Sequence, residues 1–355
     1  MERRNFISAA GSLGVLLLGS KSVSATSADD HQPPDAGQQT QEYAALSKEE
    51  VAALKAGKGA VFGGLAKPAE LNGYPGPRHT LDLSDELNLT DEQEAEIKYL
   101  FDDMQSEARL LGKRYLTFER LIEGGFEKGT LTEERLESLL TKSGDFYGEL
   151  RNTHLKYHFQ TKKVLTEEQV DKYNEIRGYT NDGHDGQSHD GHDGQSTYAG
   201  QQTREYAALS KEEVAALKAG KGTVFGGLAK PAELNGYPGP RHVLHVSDEL
   251  NLTDEQEAEI ECLFDDMQSE ARPLGKEYLE VERQIEDGYE EGTLTEEKLE
   301  SLLTKSGNFY GELRNTHLKY HFRAKKILTE EQVDKYNEIR GYTNDGHDGD
   351  QKQNH

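Results

Sequence analysis

The chain has 355 residues, with 41 Lys and Arg against 66 Asp and Glu, a formal net charge of −25. So acidic a surface repels nucleic acid and anionic lipid and favours cations, which excludes nucleic-acid binding as a main role. A single cysteine, Cys262, rules out intrachain disulfides, and 34% apolar residues with no Trp predict a thin core, as in a small bundle of long helices.

The first residues read as an export signal. Arg3-Arg4 precede an apolar run from Ile7 to Gly19, and Val23-Ser24-Ala25 offers a small-residue cleavage site. Residues 1–25 are therefore expected to be a bacterial secretory signal peptide, with a periplasmic or otherwise exported product. Arg3-Arg4-Asn5-Phe6-Ile7 resembles the twin-arginine export motif, with Glu2 where Ser or Thr is usual; an ordinary Sec signal is the alternative. No other segment is apolar enough to span a bilayer, so no membrane insertion of the mature chain is expected.

Residues 36–186 recur at 199–349 with a constant offset of 163 and about twenty differences. A solenoid unit repeats every ~20–50 residues, so this is a duplicated domain. The expected division is a helical domain at 36–180, a Gly/Asp/His-rich linker at 181–198, a second helical domain at 199–343 and a tail at 344–355.

Within a copy, Ser47-Lys48-Glu49-Glu50 is a capping box opening a short helix that stops near Gly57. A Gly/Pro-rich stretch runs through Asn72-Gly73-Tyr74-Pro75-Gly76-Pro77, and a short helix is expected from about Arg78 to Leu87. Thr90-Asp91-Glu92-Gln93 opens a long helix to about Glu123, which Gly124-Gly125 should end. Thr130 or Thr132 caps a second long helix to about Lys163, and Thr166 caps a last one ending at Arg177-Gly178. No segment alternates with period 2. The predicted fold class is all-α: two tandem domains, each a long antiparallel helical hairpin with short flanking helices covering its open side.

Both long helices are amphipathic. Ile97, Leu100, Phe101, Met104, Ala108, Leu111, Tyr115, Phe118 and Ile122 step by three and four, as do Leu136, Leu139, Leu140, Tyr147, Leu150, Tyr157 and Leu165. Copy two differs mostly outside these stripes. Lys98, Arg114, Thr117 and Lys128 become Glu261, Glu277, Glu280 and Glu291. Leu110 becomes Pro273, which predicts a kink in copy two alone.

His154 and His158 lie four apart on the inward face, on the angular lines of Leu136 and Leu140. Folding the hairpin about residue 127 sets them opposite residues 96–101. Doubling the preceding short helix back near residue 89 brings His79 to the same layer, with Glu94 at its edge. The counterparts are His242, Glu257, His317 and His321. Neutral imidazoles with a carboxylate suit Zn²⁺, Ni²⁺, Co²⁺ or Cu²⁺; the alternative is structural histidines satisfied by a neighbouring Tyr, Glu or carbonyl. His245 is expected on the surface. Glu119 and Glu282 also fall in the stripe, with Lys142 or Arg120 as the expected partner of Glu119. The His-Asp-Gly tracts read as an acidic linker or as loose metal ligands. There is no His-Glu-x-x-His, no di-iron Glu-x-x-His pair, no phosphate loop and no nucleophile elbow, so no enzyme is expected.

Two Leu-Thr-x-x-Gln motifs, Leu89–Gln93 and Leu165–Gln169, open the long hairpin and the last helix, and recur at 252–256 and 328–332. This layout resembles the Spy/CpxP family of periplasmic stress chaperones and the related heavy-metal-resistance proteins, including ZraP-like zinc-binding proteins and CnrX-like nickel/cobalt sensors. Leu150-Arg151-Asn152-Thr153-His154, His158 and Arg177-Gly178-Tyr179 look most like members described as periplasmic metal sensors. The resemblance implies a curved helical hairpin that dimerises antiparallel, with either unfolded periplasmic proteins as clients or a membrane sensor as partner. It also implies a divalent transition metal held by His79, Glu94, His154 and His158. The expected function is an exported metal-buffering or metal-sensing stress protein with chaperone potential; the alternative is a metal-independent holdase or scaffold. Two copies in one chain suggest pairing of the repeats with each other, or a homodimer.

Overall fold

The computed structural model describes residues 43–179 and 206–342; the expected signal peptide, linker and tail lie outside them. Copy one contains α1 (Lys48–Ala56), α2 (Lys67–Leu71), α3 (Pro77–Asp82), α4 (Asp91–Glu127), α5 (Glu133–Val164) and α6 (Glu167–Arg177). Copy two contains α7 (Lys211–Ala219), α8 (Lys230–Glu233), α9 (Pro240–His245), α10 (Ser247–Leu250), α11 (Asp254–Glu290), α12 (Glu296–Ile327) and α13 (Glu330–Ile339). No strand occurs among the described residues, so the fold is all-α.

Local chemistry sets most boundaries. The side-chain oxygens of Ser47, Thr90 and Thr166 cap their helices, and their backbone N–H groups donate in return to the side-chain oxygens of Glu50, Gln93 and Gln169. Gly57 and Gly178 end α1 and α6 at φ 71° and 72°, a conformation cheap only for glycine. Three expectations need correction. The helix α4 passes through Gly124-Gly125 to Glu127, and its turn is made instead at Gly129, φ 63°. Burial of Ile122 and Phe126 outweighs the low helix propensity of two glycines, and Gly125 is small because Leu131 folds back onto it. The short helix α3 stops at Asp82, well before Leu87. The Gly/Pro-rich stretch contains α2, started by Pro68 in its first turn. In copy two, α11 is helical from end to end with Pro273 inside it, at an exposed position.

The largest surprise is what covers the hairpin. The flanking helices α1 and α3 pack on α4, whereas the most extensive contact in the molecule is between α5 and α12. The four long helices run in the order α4–α5–α12–α11. A Cβ on Gly148 would lie 2.6 Å from the Leu303 carbonyl, and one on Gly311 2.8 Å from the Leu140 carbonyl. Gly144 and Gly307 likewise abut each other's backbone. Rising residue numbers on α5 thus meet falling ones on α12. The helices cross antiparallel at a stripe of small residues, about a pseudo-two-fold axis within one chain. Equivalent tyrosines meet near that axis: Tyr147 stacks on Tyr310 at 4.2 Å. Tyr310 hydrogen-bonds Tyr115 at 2.9 Å and Tyr147 hydrogen-bonds Tyr278 at 3.1 Å.

The expectation that Lys142 or Arg120 would neutralise Glu119 fails for the same reason. Lys142 pairs with Asp145, and the Arg120 guanidinium lies over the Tyr43 ring. Glu119 is bound by Arg314 of the other copy at 2.5 and 2.8 Å and accepts from Ser143 at 2.7 Å. Hydrophobic clusters are shared too. Tyr289, at the tip of the second hairpin, packs on Tyr74 and Phe159, and Phe126 packs on Tyr237. The repeat is therefore not divided into two separate cores.

Candidate metal-binding histidine layer

Three elements of copy one bring the inward histidines together. His154 and His158 lie one turn apart on α5, both buried. The α2–α3 segment crosses them and brings Glu70, the Tyr74 carbonyl and His79. The helix α6 adds Tyr173 and Arg177. The Tyr74 ring is clamped by Phe159 and by Tyr289 of the other copy, each at 4.9 Å, so copy two buttresses the segment that faces the histidines.

His158 Nδ1 donates to the Tyr74 carbonyl at 2.7 Å. A carbonyl only accepts, so the proton sits on Nδ1 and the neutral ring keeps its Nε2 lone pair. That edge faces Gly76, where a Cβ would come within 2.9 Å of Nε2. His154 is covered by Gly59, and its Nε2 is buried with no hydrogen-bond partner. Burial, and then the neighbouring His158, push the His154 pKa down to about 4. Burial also lowers His158, against the pull of Glu70. Both rings are thus neutral near pH 7, the form that binds metal.

The carboxylate of the layer is Glu70, which sequence reasoning missed. Its oxygens lie 3.3 Å from His79 Nδ1, 3.5 Å from His158 Nδ1 and 3.6 Å from Arg177. It also accepts a short hydrogen bond from the Tyr173 hydroxyl. Burial pushes its pKa up, but the hydrogen bond from His79 and the charge of its neighbours more than offset this and hold it at about 2. The expected carboxylate, Glu94, is instead exposed in the first turn of α4, and Glu257 is partly exposed at the equivalent place. Glu70 was hidden because its five-residue helix sits in a Gly/Pro-rich stretch read as loop. Pro68 at a helix start was the available signal.

Copy two repeats the arrangement. His321 Nδ1 donates to the Tyr237 carbonyl at 2.9 Å, and His242 Nδ1 lies 3.1 Å from Glu233. His317 Nε2 is buried and unpartnered, and burial followed by His321 lowers that imidazole to about 3. A cavity of about 190 Å³ is lined by His242, His317, His321, Glu233, Phe264 and Met267. His245 is exposed, as expected. Among the described residues, no three His, Cys, Asp or Glu side chains are already set as a metal cage. Glu70 and the Oε1 atom of Glu233 are committed to tyrosine and histidine donors, whereas Glu233 Oε2 and the Nε2 atoms of His154 and His317 have no hydrogen-bond partner.

The Leu-Thr-x-x-Gln motifs do more than cap. The Gln93 and Gln169 amides bond each other reciprocally at 2.8 and 3.0 Å. Gln93 Nε2 also donates to the Val164 carbonyl at 2.9 Å, and Gln169 Nε2 to the Leu87 carbonyl at 3.2 Å. The two motifs therefore lock the start of α4, the end of α5 and the start of α6 together. Gln256 and Gln332 do the same in copy two. Residues 240–340, spanning α9 to α13 and both interlocked motifs, match the LTXXQ motif family protein description. This segment is similar to the LTXXQ motif family. Copy one carries the same LTXXQ motifs at the equivalent positions. The match supports the Spy/CpxP-like resemblance, and LTXXQ proteins of this kind are typically periplasmic chaperone-like or metal-resistance proteins. Among the described residues, no helix is long and apolar enough to cross a membrane. No curated protein and no solved structure matches the chain.

Proposed function

We propose that the protein is an exported, non-catalytic metal-binding stress protein that buffers or senses a divalent transition metal through a histidine layer in each copy. One observation carries this reading: His317, with a buried and unpartnered Nε2, lines the same cavity as His321 and His242. A buried imidazole without a partner costs stability, so its persistence needs a reason. A soft or borderline cation accepted by Nε2 of His317 and His321 supplies one, and suits Zn²⁺, Ni²⁺, Co²⁺ or Cu²⁺ better than Mg²⁺ or Ca²⁺. Copy one offers His154 and His158 in the same way, with His79 and Glu70 (His242 and Glu233 in copy two) beside them. The metal would polarise its ligands and fix the α2–α3 segment, or its counterpart, against α5 or α12.

Calorimetric titration of the full chain with each of the four ions tests this. Saturable binding is expected, lost when His154, His158, His317 and His321 are all changed to Ala. Equal binding by that variant, with its helical content intact by circular dichroism, would sink the reading.

A further inference from the structure

The large hydrophobic side chains most exposed among the described residues, Tyr99, Leu110 and Leu121, all lie on α4, spaced eleven residues apart. Eleven residues is about three turns, so they form one line. Copy two changes all three, to Cys262, Pro273 and Gln284. On the same line Arg114, Thr117, Gly124 and Lys128 become Glu277, Glu280, Asp287 and Glu291. At 100° per residue these seven positions span about 80° of the helix surface. A third of the differences between copies is thus concentrated on a single outward strip. One copy presents a basic, apolar face and the other an acidic, polar one.

We propose that the outer face of α4 docks onto the outer face of α11 in a second copy of this chain. The two faces match in charge. Over residues 109–128, leaving aside the committed Glu119, Arg120 and Glu123, four cations stand against Glu127 alone. Over 272–291, leaving aside Glu282, Glu286 and the mutually paired Arg283, Glu280 and Asp287, two cations stand against three carboxylates. The faces cannot meet within one molecule, because α4 and α11 are the outermost helices of the row α4–α5–α12–α11. They meet only between molecules, and the contact is heterologous, so it builds rings or open chains larger than a dimer. The net charge of −25 does not forbid this. At physiological salt the screening length is about 8 Å, so the local face and not the distant total governs contact. Leu110 and Leu121 add the apolar area that the charges orient.

Sedimentation of the full chain tests the proposal. In 0.15 M salt the weight-average mass is expected to rise with concentration and to fall back in 1 M salt. Arg114→Glu/Lys128→Glu makes both faces acidic, and Glu277→Arg/Glu291→Lys makes both basic. Each variant alone is expected to lose association by at least about tenfold, and an equimolar mixture to regain it. Leu110→Gln/Leu121→Gln should weaken association with the charges intact. A wild-type chain monomeric at every concentration, or association unchanged by the reversals, overturns the proposal.

Discussion

Arg151 on α5 grips Glu282 on α11 with two hydrogen bonds, 2.5 and 2.8 Å long, although the residues belong to different copies and each side chain is almost wholly buried. Ser306 fills a further position, donating to Glu282 at 2.9 Å and accepting from Arg151 at 2.8 Å. The mirror pair is Arg314 with Glu119. Desolvating two charges is costly, and geometry of this quality offsets most of it.

The first prediction concerns that pair. Arg151→Met leaves an ionised carboxylate buried without its cation, and should cost about 3–5 kcal/mol in urea denaturation. The double variant Arg151→Met/Glu282→Leu should recover most of the loss. A double variant no more stable than the single would show that the ion pair is not what couples the copies.

A second prediction separates close approach from helix propensity. A Cβ at Gly148 meets the Leu303 carbonyl at 2.6 Å, whereas one at Gly124 meets nothing within 4 Å. Gly148→Ala should therefore lose about 1–3 kcal/mol by forcing α5 and α12 apart. Gly124→Ala should gain about 0.5–1 kcal/mol, because the site is helical and open. Thermal unfolding of the two variants should move in opposite directions.

These glycines mark where sequence reasoning reached its limit. Capping boxes, terminal glycines and apolar stripes are local signals, and they located the long helices and the inward histidines. The second buried face of α5 is formed by Gly144, Gly148, Ser143 and Arg151, residue types that resemble a solvated surface until a partner backbone lies against them. Spacing of Gly144 and Gly148 by one turn was the available clue to a close helix crossing. Glu94 sits on a long periodic helix and is legible as a candidate, whereas Glu70 reaches the layer through a five-residue helix that carries no such pattern.

Acidity should act through two opposing sets of groups. Glu286 is tied to Asn72 and to the Ala207 amide, and burial pushes its pKa up to about 7. The folded chain then holds a proton that the unfolded chain releases near pH 4.5, so this group makes stability fall as pH rises from about 4.5 to 7. His154 and His317, lowered to about 4 and 3, bind fewer protons when folded. Their contribution is present above about pH 6.5 and is lost as pH falls toward 4 and 3. Glu70 and Glu233, held at about 2, add stability that is lost only as pH falls below about 4.5. Burial shifts its counterpart Glu123 in the same direction, so replacing Glu286 with Gln removes the larger part, not all, of the opposing slope. Chemical denaturation between pH 5 and 7 should then show stability rising more steeply with pH than in the wild type; an unchanged slope would contradict the assignment.

Pro273 provides the last test, and it discriminates between the copies. The helix α11 continues past it, so the missing amide hydrogen and the ring clash with the preceding turn are strain that the helix carries. The ring is exposed, and its neighbours in copy one, Leu110 and Leu111, sit on an unbroken helix of the same length. Two residues further on, Gly275 sits close against Leu217 of α7, where any Cβ would strike the backbone, as Gly112 sits against Leu54 in copy one. Pro273→Leu should therefore restore one backbone hydrogen bond without disturbing a packed contact, and stabilise the chain by up to about 3 kcal/mol. Leu110→Pro should cost a similar amount at the equivalent place in α4. If α11 had instead adapted to its proline through a local rearrangement, Pro273→Leu would be neutral while Leu110→Pro remained costly, and amide hydrogen exchange on either side of residue 273 would show which.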